Sequence, residues 1–465
     1  MEENCRDPKN LFNSFPLITP NVFYFTQVWN WCEGKMKVLL LLPFFISLIL
    51  ATRTSKRNEG QNYNLSSERQ DFDLSEAQMK FALRIYKRFS PLSARPQPNI
   101  FFSPVSVYTT LSMLALGARS TTRMKILQSM GLNDTETNEE LNEANRKLLQ
   151  VVSQPTKDVE FKISNEIFID NSINILLEYQ YNAARYYNAS IQTISFGDPQ
   201  NAEKTINKIV SDRTDQKIQN AVGDLDSKTS MVLLGYVVFR AKWKSEFEKQ
   251  NTEKRKFLVK EERPISVPTM RRRRMYKTYK DTAMGCEVVE VPYSGNISLL
   301  IIVPKLGDVF HMEQQLTPQR IKKYLRSMKT SLLDLYIPKV SFNTPVNVAF
   351  GLLDMEMGIM GSDNPDFSGI SEKEKLRVSA FIQQSSINMD EGATEARSAA
   401  DAQWNFALGG PEFKIDRPFL VLLYHKVAKI ILGMGRMINP LWPQNSQSPS
   451  RTLSHLHTGF PELSQ

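Results

Sequence analysis

The chain has 465 residues, 41% hydrophobic and 23% charged, a composition that excludes collagen-like and wholly disordered chains. Lysine and arginine outnumber aspartate and glutamate by 58 to 49, a formal charge of +9 that suits a polyanionic partner without naming one. Three cysteines, Cys5, Cys32 and Cys286, are too few for a disulfide-stapled fold or a cysteine-based zinc site of ordinary spacing. Length alone would suggest about three domains.

The longest apolar run, residues 38–51 (VLLLLPFFISLILA), is interrupted by Pro43 and falls short of the roughly 20 residues that span a membrane. It follows Met36-Lys37 and precedes the polar stretch TRTSKRNEG. This pattern reads as a signal peptide over residues 36–52, with residues 1–35 an upstream extension. A membrane anchor using the longer start is the alternative. Removal of the leader takes Cys5 and Cys32 with it and leaves Cys286 alone. Glycosylation sequons at Asn64, Asn133, Asn188 and Asn296 agree with secretion.

Residues 53–74 form a polar lead-in. Residues 75–78 (SEAQ) fit a capping box, and Ala77, Phe81, Ile85 and Phe89 recur every four residues as one buried helix face. Further helices are expected over 138–152 and 317–329. Strands are expected over 298–304, 333–342 and 419–424. No Pro/Gly/Ser-rich linker divides residues 75–440, so the mixed pattern predicts one large α+β domain. Residues 441–465 read as a flexible tail.

The sequence contains no G-x-S-x-G, H-E-x-x-H, Walker or dinucleotide-binding pattern. Only His311 and His425 fall within the predicted domain, which disfavours a Ser-His-Asp triad or a histidine-rich metal site. A binding or inhibitory protein is therefore expected rather than an enzyme, with no cofactor.

Several segments, taken in order, resemble the serpin family. They are residues 99–106 (NIFFSPVS) continuing into 111–122 (LSMLALGARSTT), then 239–247 (FRAKWKSEF) and 291–296 (VPYSGN). Residues 338–342 (PKVSF), 365–370 (PDFSGI), 391–396 (EGATEA), 416–419 (DRPF) and 435–440 (GRMINP) follow. The resemblance is nearest to the secreted, antitrypsin-like branch. It implies one domain with three β-sheets, eight or nine helices and an exposed reactive-centre loop over about 391–415. It also implies a monomeric inhibitor that acts as a suicide substrate: a serine protease cleaves the loop, and the loop inserts into the main sheet. The hinge is then Glu391, Gly392, Ala393, Thr394, Glu395 and Ala396. The sheet-opening region is Ser103, Gly235, Gln383 and Trp243. A non-inhibitory serpin, such as a carrier or storage protein, is the alternative.

The loop residues bear on insertion directly, because a strand entering a sheet sends alternate side chains to opposite faces. One parity, Thr394, Ala396, Ser398, Ala400 and Ala402, is uniformly small. The other, Glu395, Arg397, Ala399, Asp401 and Gln403, is mostly charged or polar. The 25 positions from Thr394 to Phe419 match the antitrypsin-like spacing and imply a scissile bond at Ala407-Leu408. A small residue there suits an elastase-like protease, whereas a one-residue slip to Phe406 or Leu408 suits a chymotrypsin-like one. Three positions depart from the family: Ala393 replaces the usual hinge glycine, Gln383 and Gly235 replace a His and an Asn, and Gly433 replaces a bulky apolar residue.

Two basic clusters stand out. Arg271, Arg272, Arg273 and Arg274 read either as a solvated turn between strands or as a polyanion or protease exosite. On the helix predicted over 317–329, Lys322, Arg326 and Lys329 would share a face adjoined by Arg320 and Lys323. Ile321, Leu325 and Met328 would occupy the buried side. A heparin-like glycosaminoglycan is the expected polyanion. No recognition motif supports nucleic acid.

Overall fold

The computed structural model describes residues 74–90, 99–133, 138–260, 263–305, 309–343, 345–353, 364–372, 375–392 and 410–441. The leader, Asn64 and the tail lie outside the described residues.

The helix Pro104–Gly117 (PVSVYTTLSMLALG) has almost no polar face, and all of its residues except Leu116 are buried. A helix that is apolar all round belongs in the middle of a core. Ser103 caps its start, its side chain accepting a hydrogen bond from Ser106 N, and Pro104 follows at the first helical position. The helix Leu74–Phe89 packs beside it and buries Phe81 and Ile85, as the four-residue repeat predicts. The capping box expected at residues 75–78 is absent. The helix already includes Leu74, and Gln78 is fully buried. Its amide instead donates to Ile431 O (2.8 Å) and accepts from Ile431 N (3.1 Å). Tertiary pairing with a strand edge has taken the side chain that the local motif required.

Among the described residues the strands form two hydrogen-bonded networks, the larger one continuous where two sheets could have been separate. The larger runs Ile100–Phe102, Ile430–Met437, Phe419–His425, Ile297–Pro304, Cys286–Pro292, Arg263–Asp281, Lys329–Pro338 and Glu412–Lys414 in spatial order. The 19-residue strand Arg263–Asp281 joins what would otherwise be two sheets. Its start pairs with Glu253–Lys260, its middle with Lys329–Pro338 and its end with Cys286–Pro292. The predicted strand 333–342 divides at Pro338. Lys329–Pro338 belongs to this network and Val340–Phe342 to the other.

The second network runs Val340–Phe342, Val378–Met389, Met231–Ala241, Val159–Asp170 and Ala189–Ile194. One face packs on the main core, with Phe381, Leu233 and Val237 among its contributors. The lower part of the other face is covered by the helix Pro199–Arg213, where Ala202, Ile206 and Val210 meet Val232, Leu234, Tyr236 and Ile382. Nine α-helices occur among the described residues. Cys286 is buried and unbridged, and burial pushes its thiol up to about 11, so it is a poor nucleophile at neutral pH.

Gly433 has a packing explanation. A Cβ there would lie 2.5 Å from Cζ of Phe101, whose ring stacks on Phe342. The Phe101 ring thus fills the space left free by the missing side chain.

One charged pair lies wholly inside the core. Arg436 Nη1 is 3.0 Å from Glu313 Oε2, and neither side chain is exposed. Tyr86 and Ser90 also donate to the Glu313 carboxylate. Removing one partner strands a buried charge. Arg436→Ala should therefore lower stability by about 3–5 kcal/mol, read as a lower midpoint of the first unfolding transition in urea.

Candidate functional site: the sheet gap and the loop hinge

Val378–Met389 and Met231–Ala241 pair directly and in parallel, with Gln383 opposite Gly235 and Ile387 opposite Phe239. The chain leaves the end of Val378–Met389 at Asp390, Glu391 and Gly392 and is described again from Gly410. Any segment that turned back from this exit into the gap would run antiparallel to both strands. It would replace one parallel ladder with two antiparallel ones, and parallel pairing is slightly the weaker per residue.

Three anchors hold the exit. Trp243 is 3% exposed, stacks on Tyr293 with ring centroids 4.1 Å apart, and donates its Nε1–H to Asp390 O at 2.6 Å. Phe247 N donates to Glu391 O. The Glu391 carboxylate accepts from Thr252 Oγ1 (2.8 Å) and from Lys339 Nζ (2.7 Å). Burial alone would raise the Glu391 pKa, but hydrogen bonds from Lys339, its own backbone N–H and Thr252 outweigh burial and hold it below the ordinary 4.5. Gly392 follows at φ +88, a left-handed conformation that glycine adopts without a Cβ penalty. The turn thus uses the glycine one place before the family's usual position. Ala393, Thr394, Glu395 and Ala396, and the expected scissile region Phe406, Ala407 and Leu408, lie outside the described residues.

The sheet-opening residues are only partly brought together. Gln383 Oε1 accepts from Ser103 N (3.1 Å), and its Nε2 donates to Ser385 Oγ (2.8 Å). Ser103 Oγ donates to Leu432 O (2.6 Å). Gln383 therefore ties the strand Val378–Met389 to the start of the central helix. Gly235 does not reach Ser103. A Cβ there would sit 2.6 Å from Ser106 Oγ and 3.2 Å from Thr110 Oγ1, so the bare backbone allows the helix to lie close against the strand.

The side chain that organises this region was not singled out from sequence. Asn165, opposite Gly235 on the neighbouring strand, accepts from Thr110 Oγ1 (2.8 Å) and donates to Tyr187 O (3.0 Å). Tyr187 OH in turn donates to Asn142 Oδ1. The only sequence signal is an asparagine within the strand VEFKISNEIFID. Glu391's partners Lys339 and Thr252 were equally invisible, since they lie 52 and 139 positions away.

A family model described as "Serpin (serine protease inhibitor)" matches residues 76–440. The chain belongs to the serpin family. It is 36% identical over 369 residues to serine protease inhibitor A6 of Xenopus laevis, covering 79% of this chain and 84% of that protein. It is 28% identical over 405 residues to bovine (Bos taurus) corticosteroid-binding globulin, covering 86% of this chain and all of that protein. Among solved structures, human thyroxine-binding globulin superposes with a TM-score of 0.74 at 30% identity, covering 79% of this chain and 98% of that one. The A-group names of several relatives agree with the antitrypsin-like resemblance.

The basic residues of this serpin are less available than their spacing suggests. Arg271–274 form no turn. They lie within the strand Arg263–Asp281, where side chains alternate between faces. Arg271 and Arg273 share one face and both approach the buried Asp334, at 3.3 and 3.6 Å. Arg272 and Arg274 point the other way, around the buried Tyr276. The predicted helix 317–329 is Pro318–Ser327, capped by Thr317, and Lys329 opens the following strand. Ile321 is buried, Leu325 and Met328 are partly buried against the core as expected, and Tyr324, not anticipated, is fully buried beside them. Arg320 pairs with Asp281 (3.3 Å) and Lys322 with Glu76 (3.1 Å). Lys323 lies 5.8 Å from the Tyr279 ring centroid. Arg326 and Lys329 are exposed.

A carboxyl whose folded pKa is depressed contributes stability above its unfolded pKa and loses that contribution as pH falls through the folded value. The hinge anchor should therefore loosen below pH 4.5, across the interval down to the lowered Glu391 value. The protection factor of the Phe247 amide, the ratio of its intrinsic to its observed exchange rate at the same pH, should fall there in the wild type. Glu391→Gln should already have a lower protection factor at pH 7, and that factor should stay constant across the interval. An identical pH profile in both proteins would refute the assignment.

Proposed function

We propose that this serpin is a secreted inhibitor of an elastase- or chymotrypsin-like serine protease, acting as a suicide substrate by loop cleavage and insertion. The observation that carries this reading is the unoccupied parallel pairing of Val378–Met389 with Met231–Ala241, with the loop exit at its upper end. The loop's small parity suits the core face of that gap. The outer face has room for the charged parity. Above the helix Pro199–Arg213, a groove of about 540 Å³ opens over the sheet, lined by Lys217, Arg240, Lys242, Glu160, Asn388 and Asp390 among others. The first outward residues of an entering loop, Glu395 and Arg397, would find charged partners of both signs in this lining, beside Val238. The expected bait Trp404-Asn405-Phe406-Ala407 contains no lysine or arginine, which disfavours a trypsin-like target.

The signal-peptide pattern over residues 36–52 supports secretion, as do the exposed sequons Asn133 and Asn296. The likeness to two proteins named as hormone-binding globulins supports the second reading, a non-inhibitory carrier.

Incubation with elastase and chymotrypsin separates the two readings. A complex that survives SDS, together with a large rise in Tm of the loop-cleaved protein, is the expected result. Clean cleavage with neither would refute inhibition. For the polyanion partner, a glycosaminoglycan would bind through the most accessible cations. Arg326→Ala with Lys329→Ala should shift elution from heparin resin to lower salt, and by more than Lys322→Ala, whose ammonium already pairs with Glu76. Unchanged elution of the double variant would reject this surface.

A further inference from the structure

The helix Leu177–Tyr187 (LEYQYNAARYY) is amphipathic in an unusual way. Tyr179, Ala183 and Tyr187 face the core. The opposite face carries the exposed Glu178 and Arg185, but two large apolar side chains stand beside them, Leu177 at 82% and Tyr181 at 64% exposure. These are the two most exposed large hydrophobic side chains among the described residues. The same line along the helix continues through the exposed Ala184 to Asn188. Asn188 lies 7 positions from Tyr181 and 11 from Leu177, close to two and three whole turns, hence about 10 and 16 Å along one side. Asn188 ends the helix in a left-handed conformation (φ 50, ψ 38), with its N–H bonded to Ala184 O. The strand Ala189–Ile194 begins immediately after it. Among the described residues that strand pairs only with Val159–Asp170, stands at the end of the sheet, and has no buried residue. An apolar stripe beside an open strand edge invites association with other chains unless something covers it. Asn188-Ala-Ser190 is itself a glycosylation sequon placed at the junction of the two.

We propose that Asn188 carries an N-linked glycan whose first sugars lie back along Tyr181 and Leu177 and screen the outer edge of Ala189–Ile194. The inference rests on the secretion reading above. Transfer occurs on the unfolded chain. The amide nitrogen of Asn188 loses a proton and bonds to C1 of a lipid-pyrophosphate-linked oligosaccharide, and the C1–O bond breaks as the lipid pyrophosphate leaves. After folding, the C–H faces of the sugar rings meet the Tyr181 ring and the Leu177 side chain, while their hydroxyls face water. The glycan thus completes a surface that the polypeptide leaves apolar, and its bulk keeps a second strand from the edge.

The test uses the full chain secreted from eukaryotic cells, with glycan occupancy read by peptide mass spectrometry. Wild type is compared with Ser190→Ala, which destroys the sequon but keeps Asn188, and with Asn188→Gly, which keeps the left-handed cap without a glycan. Occupied Asn188 is expected in the wild type. Both variants should show a several-fold rise in bis-ANS fluorescence and slow oligomer formation by light scattering. Adding Leu177→Ser and Tyr181→Ser to Ser190→Ala should return dye binding to the wild-type level. Asn296→Gln should lose its own glycan without this rise. An empty Asn188 beside an occupied Asn296 would overturn the proposal alone, and so would loss of the Asn188 glycan with unchanged dye binding. If the expressed chain is retained in the cells and none reaches the medium, the secretion reading falls and this proposal with it, whereas a secreted chain with every sequon empty overturns this proposal alone.

Discussion

Two long strands, Met231–Ala241 and Val378–Met389, lie side by side and run in the same direction with no third strand between them. Most of the polar chemistry around the gap acts on that pairing. Gln383 ties one strand to the central helix, and Asn165 binds the same helix from the next strand. Trp243, Thr252 and Lys339 hold the point where the chain departs. Hydrogen bonds of this kind are each worth about 1 kcal/mol net, somewhat more where a charge takes part. A handful therefore adds a few kcal/mol to the ladder that already pairs the two strands.

Because the central helix is buried on nearly every side, it gives the sheet a broad, mostly apolar floor. The few hydroxyls it does present, Ser106, Thr109 and Thr110, cluster beneath the gap, where Gly235 leaves room for close approach. Ser106 Oγ is buried without a hydrogen-bond partner among the described residues, a small cost at the place where the proposed function requires movement.

The positive charge shows how far a bulk property can mislead. Four consecutive arginines look like one patch in the sequence. In a strand they divide between two faces, and Arg271 and Arg273 are directed at a single buried aspartate. On the helix Pro318–Ser327, the two cations nearest its start are committed to carboxylates. Capping at residues 75–78 failed for a related reason: Gln78 has a better partner on a strand more than 350 positions away. Elements that depend on local periodicity were legible. The helix Asn138–Val152 and the strands Ile297–Pro304 and Phe419–His425 appear within a residue of expectation.

The sequence by itself determined the class of fold and the family. These follow from hydrophobic periodicity and ordered motifs, both carried by neighbouring residues. It also singled out Glu391 and Gln383, whose side chains the structure finds bonded to Lys339 and Thr252 and to Ser103 N. Only the tertiary structure decided which residues hold the hinge, that Asn165 organises the helix–strand contact, that Gly433 is compensated by Phe101, and which cations remain exposed. Each of these depends on partners brought together across tens to hundreds of positions, so no local pattern encodes them. The two sheets' continuity through Arg263–Asp281 is the same kind of fact, since register between strands is set by what packs on their faces.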